Sequence, residues 1–117
     1  MQPDDLKQTL PLKWSPGTGT EVWSMFCAAI AGDLETIQRL VNKDSSLARC
    51  HYSYRTPLYF AVRENRTDVA RFLLEHGTDP LGLAVNDSLL EIARDRGYAQ
   101  MQTLLETFLA NAYGASP

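Results

Sequence analysis

Three stretches of this chain set apolar side chains three and four residues apart. Leu34, Ile37, Leu40 and Val41 form the first stripe, with Gln38 and Arg39 pointing elsewhere. Val69, Phe72 and Leu73 form the second, and Met101, Leu104, Leu105 and Phe108 the third. Such spacing marks amphipathic helices with one buried face. A shorter apolar segment lies ahead of each stripe, and the paired segments superpose. WSMFCAAIAGDLETIQRLV begins at Trp23, TPLYFAVRENRTDVARFLL at Thr56 and SLLEIARDRGYAQMQTLLE at Ser88, with starts 33 and then 32 residues apart.

In this register Ala28, Ala61 and Ala93 coincide, as do Met25, Leu58 and Leu90, and further on Leu40, Leu73 and Leu105. A recurring small residue suits close helix–helix approach. Gly32, Asn65 and Gly97 also coincide, and they suit a left-handed turn where a Cβ is costly for most residues. Each unit therefore reads as helix, tight turn, helix. Asp33 is placed to cap the second helix of unit one. Ser88 with Glu91 reads as a capping box opening unit three. Gly77 should end a helix, with Pro80 shortly beyond. So short a helix pair cannot bury its apolar face alone, and stacking on neighbours must do it.

The middle unit, RTPLYFAVRENRTDVARFLLEHGTDP, resembles an ankyrin repeat, whose motif begins T-P-L-H-x-A with a period of 33. The resemblance runs from about Thr20 to Ala110. It implies an all-α ankyrin-repeat solenoid of stacked antiparallel helix pairs. Residues 1–19 would be an N-terminal extension or cap, and 20–113 three repeats (about 20–50, 51–83 and 84–113), leaving 114–117 as tail or linker. The chain departs from the motif in places. Tyr59 stands at the histidine position, and Trp23-Ser24 and Ser88-Leu89 replace Thr-Pro. Before Thr56, CHYSYR occupies the usual glycine-bearing β-turn with Tyr54 on the glycine, so that hairpin is expected to be reshaped.

Composition narrows the function. The 117 residues make one domain or a piece of a larger one, and a hydrophobic fraction of 44% allows a packed core. Net charge is −3 and the basic residues are scattered, which argues against nucleic acid. No stretch is apolar enough for a membrane span, and MQPDDLKQTL lacks the apolar region of a secretory signal. Two cysteines are too few for a disulfide scaffold. A reduced, cytoplasmic setting fits.

Candidate chemistry is sparse. WSPGTGTEVW, from Trp14 to Trp23, looks at first like a phosphate loop. Yet Thr20, Glu21 and Val22 follow where such a loop needs a lysine, and no strand precedes it. Thr18 with Glu21 reads instead as a capping box, with Gly17 and Gly19 turning the chain into the first helix. Cys27, Cys50, His51 and His76 match no zinc spacing, and Cys27 is expected to be a buried structural thiol. Glu64/Asp68 and Glu91/Asp95 sit at helical spacing but among Arg63, Arg66, Arg94 and Arg96, as on solvated faces. No nucleophile signature appears. The reading is of a non-enzyme with no metal, cofactor or small-molecule ligand.

What remains is a binding surface. The resemblance implies that turn tips and first helices form a concave face. Carried over by position, that face holds Tyr52, Ser53 and Arg55 at the tip, with Tyr54 beside them, and Arg63, Glu64, Asp95 and Arg96 on the helices, bordered by Tyr59. Tyrosine and arginine dominate interface energetics. The expectation is a protein–protein interaction module using Tyr52, Tyr54, Arg55 and Arg63 together. Alternatively, Tyr52 and Tyr54 fold back to fill the hairpin. Leu6, Leu10, Leu12 and Trp14 should bring the N-terminus over the outer side of unit one, the alternative being a flexible tag. At the other edge, Gln102 and Glu106 replace the apolar Ala70 and Leu74 and suit a cap. Leu109, Ala112 and Tyr113 prolong the apolar stripe. A second function follows from that stripe: the chain would be the structural N-terminal cap and spacer of a longer solenoid.

Overall fold

The computed structural model describes residues 2–81 and 88–114, so the expected tail from 115 onward lies outside the described residues. Among the described residues six α-helices form three antiparallel pairs: α1 (Gly19–Ala31) with α2 (Leu34–Lys43), α3 (Pro57–Arg63) with α4 (Thr67–Glu75), and α5 (Leu89–Asp95) with α6 (Ala99–Leu109). The first helices stack in the order α1, α3, α5, and the second helices in the order α2, α4, α6. No strand occurs among the described residues, where the only β pairing is two isolated bridges. The fold is all-α.

The aligned residues occupy equivalent places. Backbone φ is 75° at Gly32, 58° at Asn65 and 73° at Gly97. After each left-handed residue the next amide turns back to the repeated alanine. Asp33 N–H donates to Ala28 O (2.8 Å), Arg66 N–H to Ala61 O (2.7 Å) and Tyr98 N–H to Ala93 O (2.9 Å). This is the bond that closes a Schellman turn and satisfies a carbonyl otherwise orphaned at a helix end. α4 ends the same way: Thr78 N–H donates to Leu73 O (3.1 Å) after Gly77 at φ 99°. The alanine methyls are buried, so a larger side chain would have to displace its neighbours.

Successive units are also joined at their turns. Arg66 Nε donates to Ile30 O (3.0 Å), and Arg96 Nη1 (3.2 Å) and Tyr98 OH (3.3 Å) donate to Arg63 O. Arg66 and Tyr98 share one position of the repeat, so each unit supplies donors for a carbonyl left open at the end of the previous first helix. Between the helix layers runs one core containing Val22, Met25, Ile37, Leu58, Leu73, Met101 and Leu105, all fully buried. Unit three deviates slightly: Leu90 is half-buried and Leu89 fills the core.

Asp33 caps α2 through Thr36 N–H (3.2 Å) and accepts from Thr36 Oγ1 (2.6 Å); the hydroxyl bond first, and the amide bond after it, lower the Asp33 pKa. At Ser88 only one limb of the expected capping box is present, Glu91 N–H donating to Ser88 Oγ (3.1 Å).

Both glycines of WSPGTGTEVW have structural work. Thr18 Oγ1 accepts from Glu21 N–H (3.3 Å) while Glu21 Oε1 accepts from Thr18 N–H (2.9 Å), a complete capping box for α1. Gly17 takes φ 91°. Gly19 has no room for a side chain, since a Cβ would lie 2.0 Å from Asp5 O. The chain crosses there because residues 10–12 pair back on 17–19: Gly19 N–H donates to Leu10 O (3.1 Å) and Leu12 N–H to Gly17 O (3.1 Å). The extension thus packs against α1 and pairs with the turn at its N-terminal end. Leu6, in the 3-10 turn Asp4–Lys7, is its buried anchor, whereas Leu10 (62%) and Trp14 (77%) stand exposed.

At the opposite edge α6 passes into a π-turn, Ala110–Gly114, and the side chain of Tyr113 lies outside the described residues. Gln102 and Arg94 both reach Glu106 (3.4 Å each) on the flank where Ala70 and Leu74 of unit two are buried.

Leu6→Ala should therefore cost about 2–4 kcal/mol, and Leu10→Ala should stay within about 0.5 kcal/mol. Urea midpoints of the two variants test this. Equal effects would contradict Leu6 as the anchor.

Candidate partner-binding surface

The connection between units one and two is a tight hairpin. Tyr52 N–H donates to Arg55 O (2.9 Å) and Arg55 N–H to Tyr52 O (3.0 Å), with Ser53 at φ 53° and Tyr54 at φ 61° between them. Two successive left-handed residues make the turn that matches strand twist. Tyr54, at the position where the motif has glycine, adopts a left-handed conformation of the kind glycine favours. A bulky residue there carries strain of about 1–2 kcal/mol, yet Tyr54 buries little and remains 73% exposed.

The four Tyr and Arg side chains expected to work together separate. Tyr52 turns toward the extension and packs half-buried, its hydroxyl donating to Asp5 Oδ2 (3.1 Å). Desolvation, then the Asp5 carboxylate, raises its phenol pKa. Tyr52 therefore folds back, and Tyr54 does not. Arg55 and Arg63 meet at Tyr59. Their guanidinium carbons lie 4.9 Å and 5.8 Å from its ring centroid, and Arg63 is also 4.9 Å from the Phe60 ring. Edge-on contact with Phe60 at 5.2 Å holds the Tyr59 ring, and Phe60 packs on Phe26 at 4.9 Å. Cations placed over aromatic faces are attracted by the ring quadrupole.

Arg63 Nε is paired to Glu64 Oε2 (2.8 Å), whereas Arg55 is exposed and has no carboxylate within ion-pair distance among the described residues. Asp95 and Arg96 are both exposed at the C-terminal end of α5. Tyr59, Arg63 and Asp95 thus lie on the stacked first helices and Glu64 and Arg96 at their C-caps, while Ser53, Tyr54 and Arg55 belong to the hairpin, with Arg55 reaching back over Tyr59.

Two features escaped the sequence. Cys27 is exposed rather than buried. It falls between the core positions Phe26 and Ala28 on α1, and the buried thiol is Cys50, whose ionisation is strongly opposed by burial. The other feature is a cleft of about 460 Å³ between the extension and the hairpin, lined by Asp5, Leu10, Trp14, His51, Tyr52 and Ser53 among others. The apolar residues of the extension signalled packing, but not which would stay outside.

Among the described residues no three His, Cys, Asp or Glu side chains gather into a possible metal site. No helix there is long and apolar enough to cross a membrane.

Two measurements follow from these placements. Tyr54→Gly should raise stability by about 0.5–1 kcal/mol, because relief of strain exceeds glycine's added chain entropy; a lowered urea midpoint would contradict this. A thiol reagent should modify Cys27 and spare Cys50 in the native protein. Although exposed, the Cys27 thiol is partly desolvated by its neighbours, which raises its pKa, so its rate should still be climbing as pH passes the ordinary thiol range.

The family model for ankyrin repeats (three copies) matches residues 23–83. Among characterised proteins, the chain is 36% identical over 58 residues to the mouse 2-5A-dependent ribonuclease, covering 49% of this chain and 8% of that protein. It is 44% identical over 50 residues to the mouse 60 kDa lysophospholipase, covering 43% and 9% respectively. The chain spans less than a tenth of either relative, so their named activities do not transfer. Ankyrin repeats are in general non-catalytic protein-interaction modules. With helix pairs closed by the same turn and a family match over more than half its length, this chain belongs to the ankyrin-repeat family.

Proposed function

We propose that the chain is a protein-interaction module whose partner docks on the face built by the first helices and the 52–55 hairpin. Arg55, Tyr59 and Arg63 form its centre. Tyr52, Ser53 and Tyr54 lie toward the tip, and Glu64, Asp95 and Arg96 toward the turns. One observation carries this reading: two guanidiniums are gathered on one half-buried tyrosine, and only that of Arg63 is paired to a carboxylate. An arginine held against an aromatic ring has already lost much of its side-chain freedom, so a partner carboxylate meets a preorganised fork. Exposed Tyr54, kept at a strained position without burial, fits the same role. Two free thiols suit a reducing, cytoplasmic setting.

The alternative, a cap and spacer for further repeats, asks the outer flank of unit three to receive another unit. Gln102, Glu106 and Arg94 occupy that flank with polar contacts, which favours the docking reading.

Arg55→Ala with Arg63→Ala should weaken a partner captured by the wild-type protein by about thirtyfold or more, as expected for central arginines. Glu106→Ala, on the far edge, should leave capture unchanged. Retention by the double variant, with its helical signal intact, would count against this face.

A further inference from the structure

The inner face changes character from one unit to the next. In unit one, Cys27, Ile30 and Ala31 carry no charge. The equivalent stretch of unit two, with its hairpin, presents the guanidiniums of Arg55 and Arg63 against the one carboxylate of Glu64, which is already paired to Arg63. Unit three reverses the balance. Glu91 falls at the Tyr59 position and Asp95 at the Arg63 position; both are exposed and neither has an ion-pair partner among the described residues. The opposing Arg96 is tied to the Arg63 carbonyl (3.2 Å). Along the solenoid the face therefore runs apolar, cationic, acidic.

We propose, building on the docking reading above, that this face selects a protein segment that runs apolar, acidic, basic from unit one to unit three. Packed helices lie about 8–10 Å apart, and an extended chain advances about 3.3 Å per residue. Consecutive recognition residues therefore fall about three apart in an extended partner. The apolar residue meets Ile30, the carboxylate meets Arg55 and Arg63 beside Tyr59, and the basic residue meets Glu91 and Asp95. A uniformly acidic chain or a nucleic acid satisfies unit two but is repelled by unit three. The order of charge, more than its amount, sets specificity, because like charges brought together penalise the wrong partner.

The test is an NMR titration of the isotope-labelled chain at low salt. The probe is a synthetic peptide in which leucine, glutamate and lysine are separated by serine–glycine spacers, compared with one in which glutamate and lysine are exchanged. The first should bind about five- to thirtyfold more tightly, since two partly exposed charge pairs change sign between the peptides. It should move the amide signals of α3 and α5. Arg63→Glu combined with Asp95→Arg should reverse the preference. Both side chains are at least partly exposed, and the Arg63 carbonyl that holds unit three is untouched, so the fold can be verified from the same spectra. Equal binding of the two peptides at the first helices would overturn the charge order while leaving the docking face standing. Shifts confined to α4 and α6 would overturn both. No shift with either peptide would also overturn the proposal.

Discussion

The hydrogen bond from the residue after each left-handed turn to the repeated alanine carbonyl is the constraint on which the rest depends. It fixes the angle between the two helices of a unit at the point where the first helix ends. Because the same bond recurs at Ala28, Ala61 and Ala93, three pairs share one geometry and their apolar faces make a continuous core. Side chains at the turns then use the remaining helix-end carbonyls to join units: Arg66 on Ile30, and Arg96 and Tyr98 on Arg63. Helix-end carbonyls lack intrahelical partners, so the turn and the joint between units are two parts of one solution.

The face along the first helices inherits its order from that lock. Residues at one repeat position line up across the stack, which is how Ile30, Arg63 and Asp95 come to form a row although they are 33 and 32 residues apart. The row needs no loop to organise it. Its neighbours reinforce it, since Phe26 supports Phe60, Phe60 supports Tyr59, and Tyr59 receives Arg55 and Arg63. Core packing is thereby linked to the orientation of the surface cations, and the hairpin contributes one of them. The hairpin also carries the chain's local conflict, a tyrosine in a backbone region suited to glycine. Such a departure from local preference is expected where function rather than stability selects the residue.

Much of the architecture was legible because it rests on short-range signals. Alanine, a glycine or asparagine four residues on, and then an amphipathic stripe are enough to specify a turn and the face that follows it. Asp33 and the pair Thr18 and Glu21 were readable for the same reason, each acting within three residues. The candidate surface was less legible. Position in the repeat placed Arg55, Tyr59 and Arg63 on one face, but local sequence does not say that Tyr52 turns to Asp5, a contact spanning 47 residues. Nor could it say that Tyr54 accepts a left-handed backbone, or that Leu6 rather than Trp14 enters the core. Cys27 was misplaced because apolar neighbours on a helix do not reveal which side of it is covered. Glu91 could have been placed on this face, since the register sets it at the position equivalent to Tyr59.

The most direct test of the account is native-state hydrogen exchange at three amides, those of Asp33, Arg66 and Tyr98. If a common turn locks every unit in register, all three are protected well above the rates of an unstructured chain. Free exchange at any one of them would contradict it, because that unit's first helix would then end without the bond that holds its place in the stack.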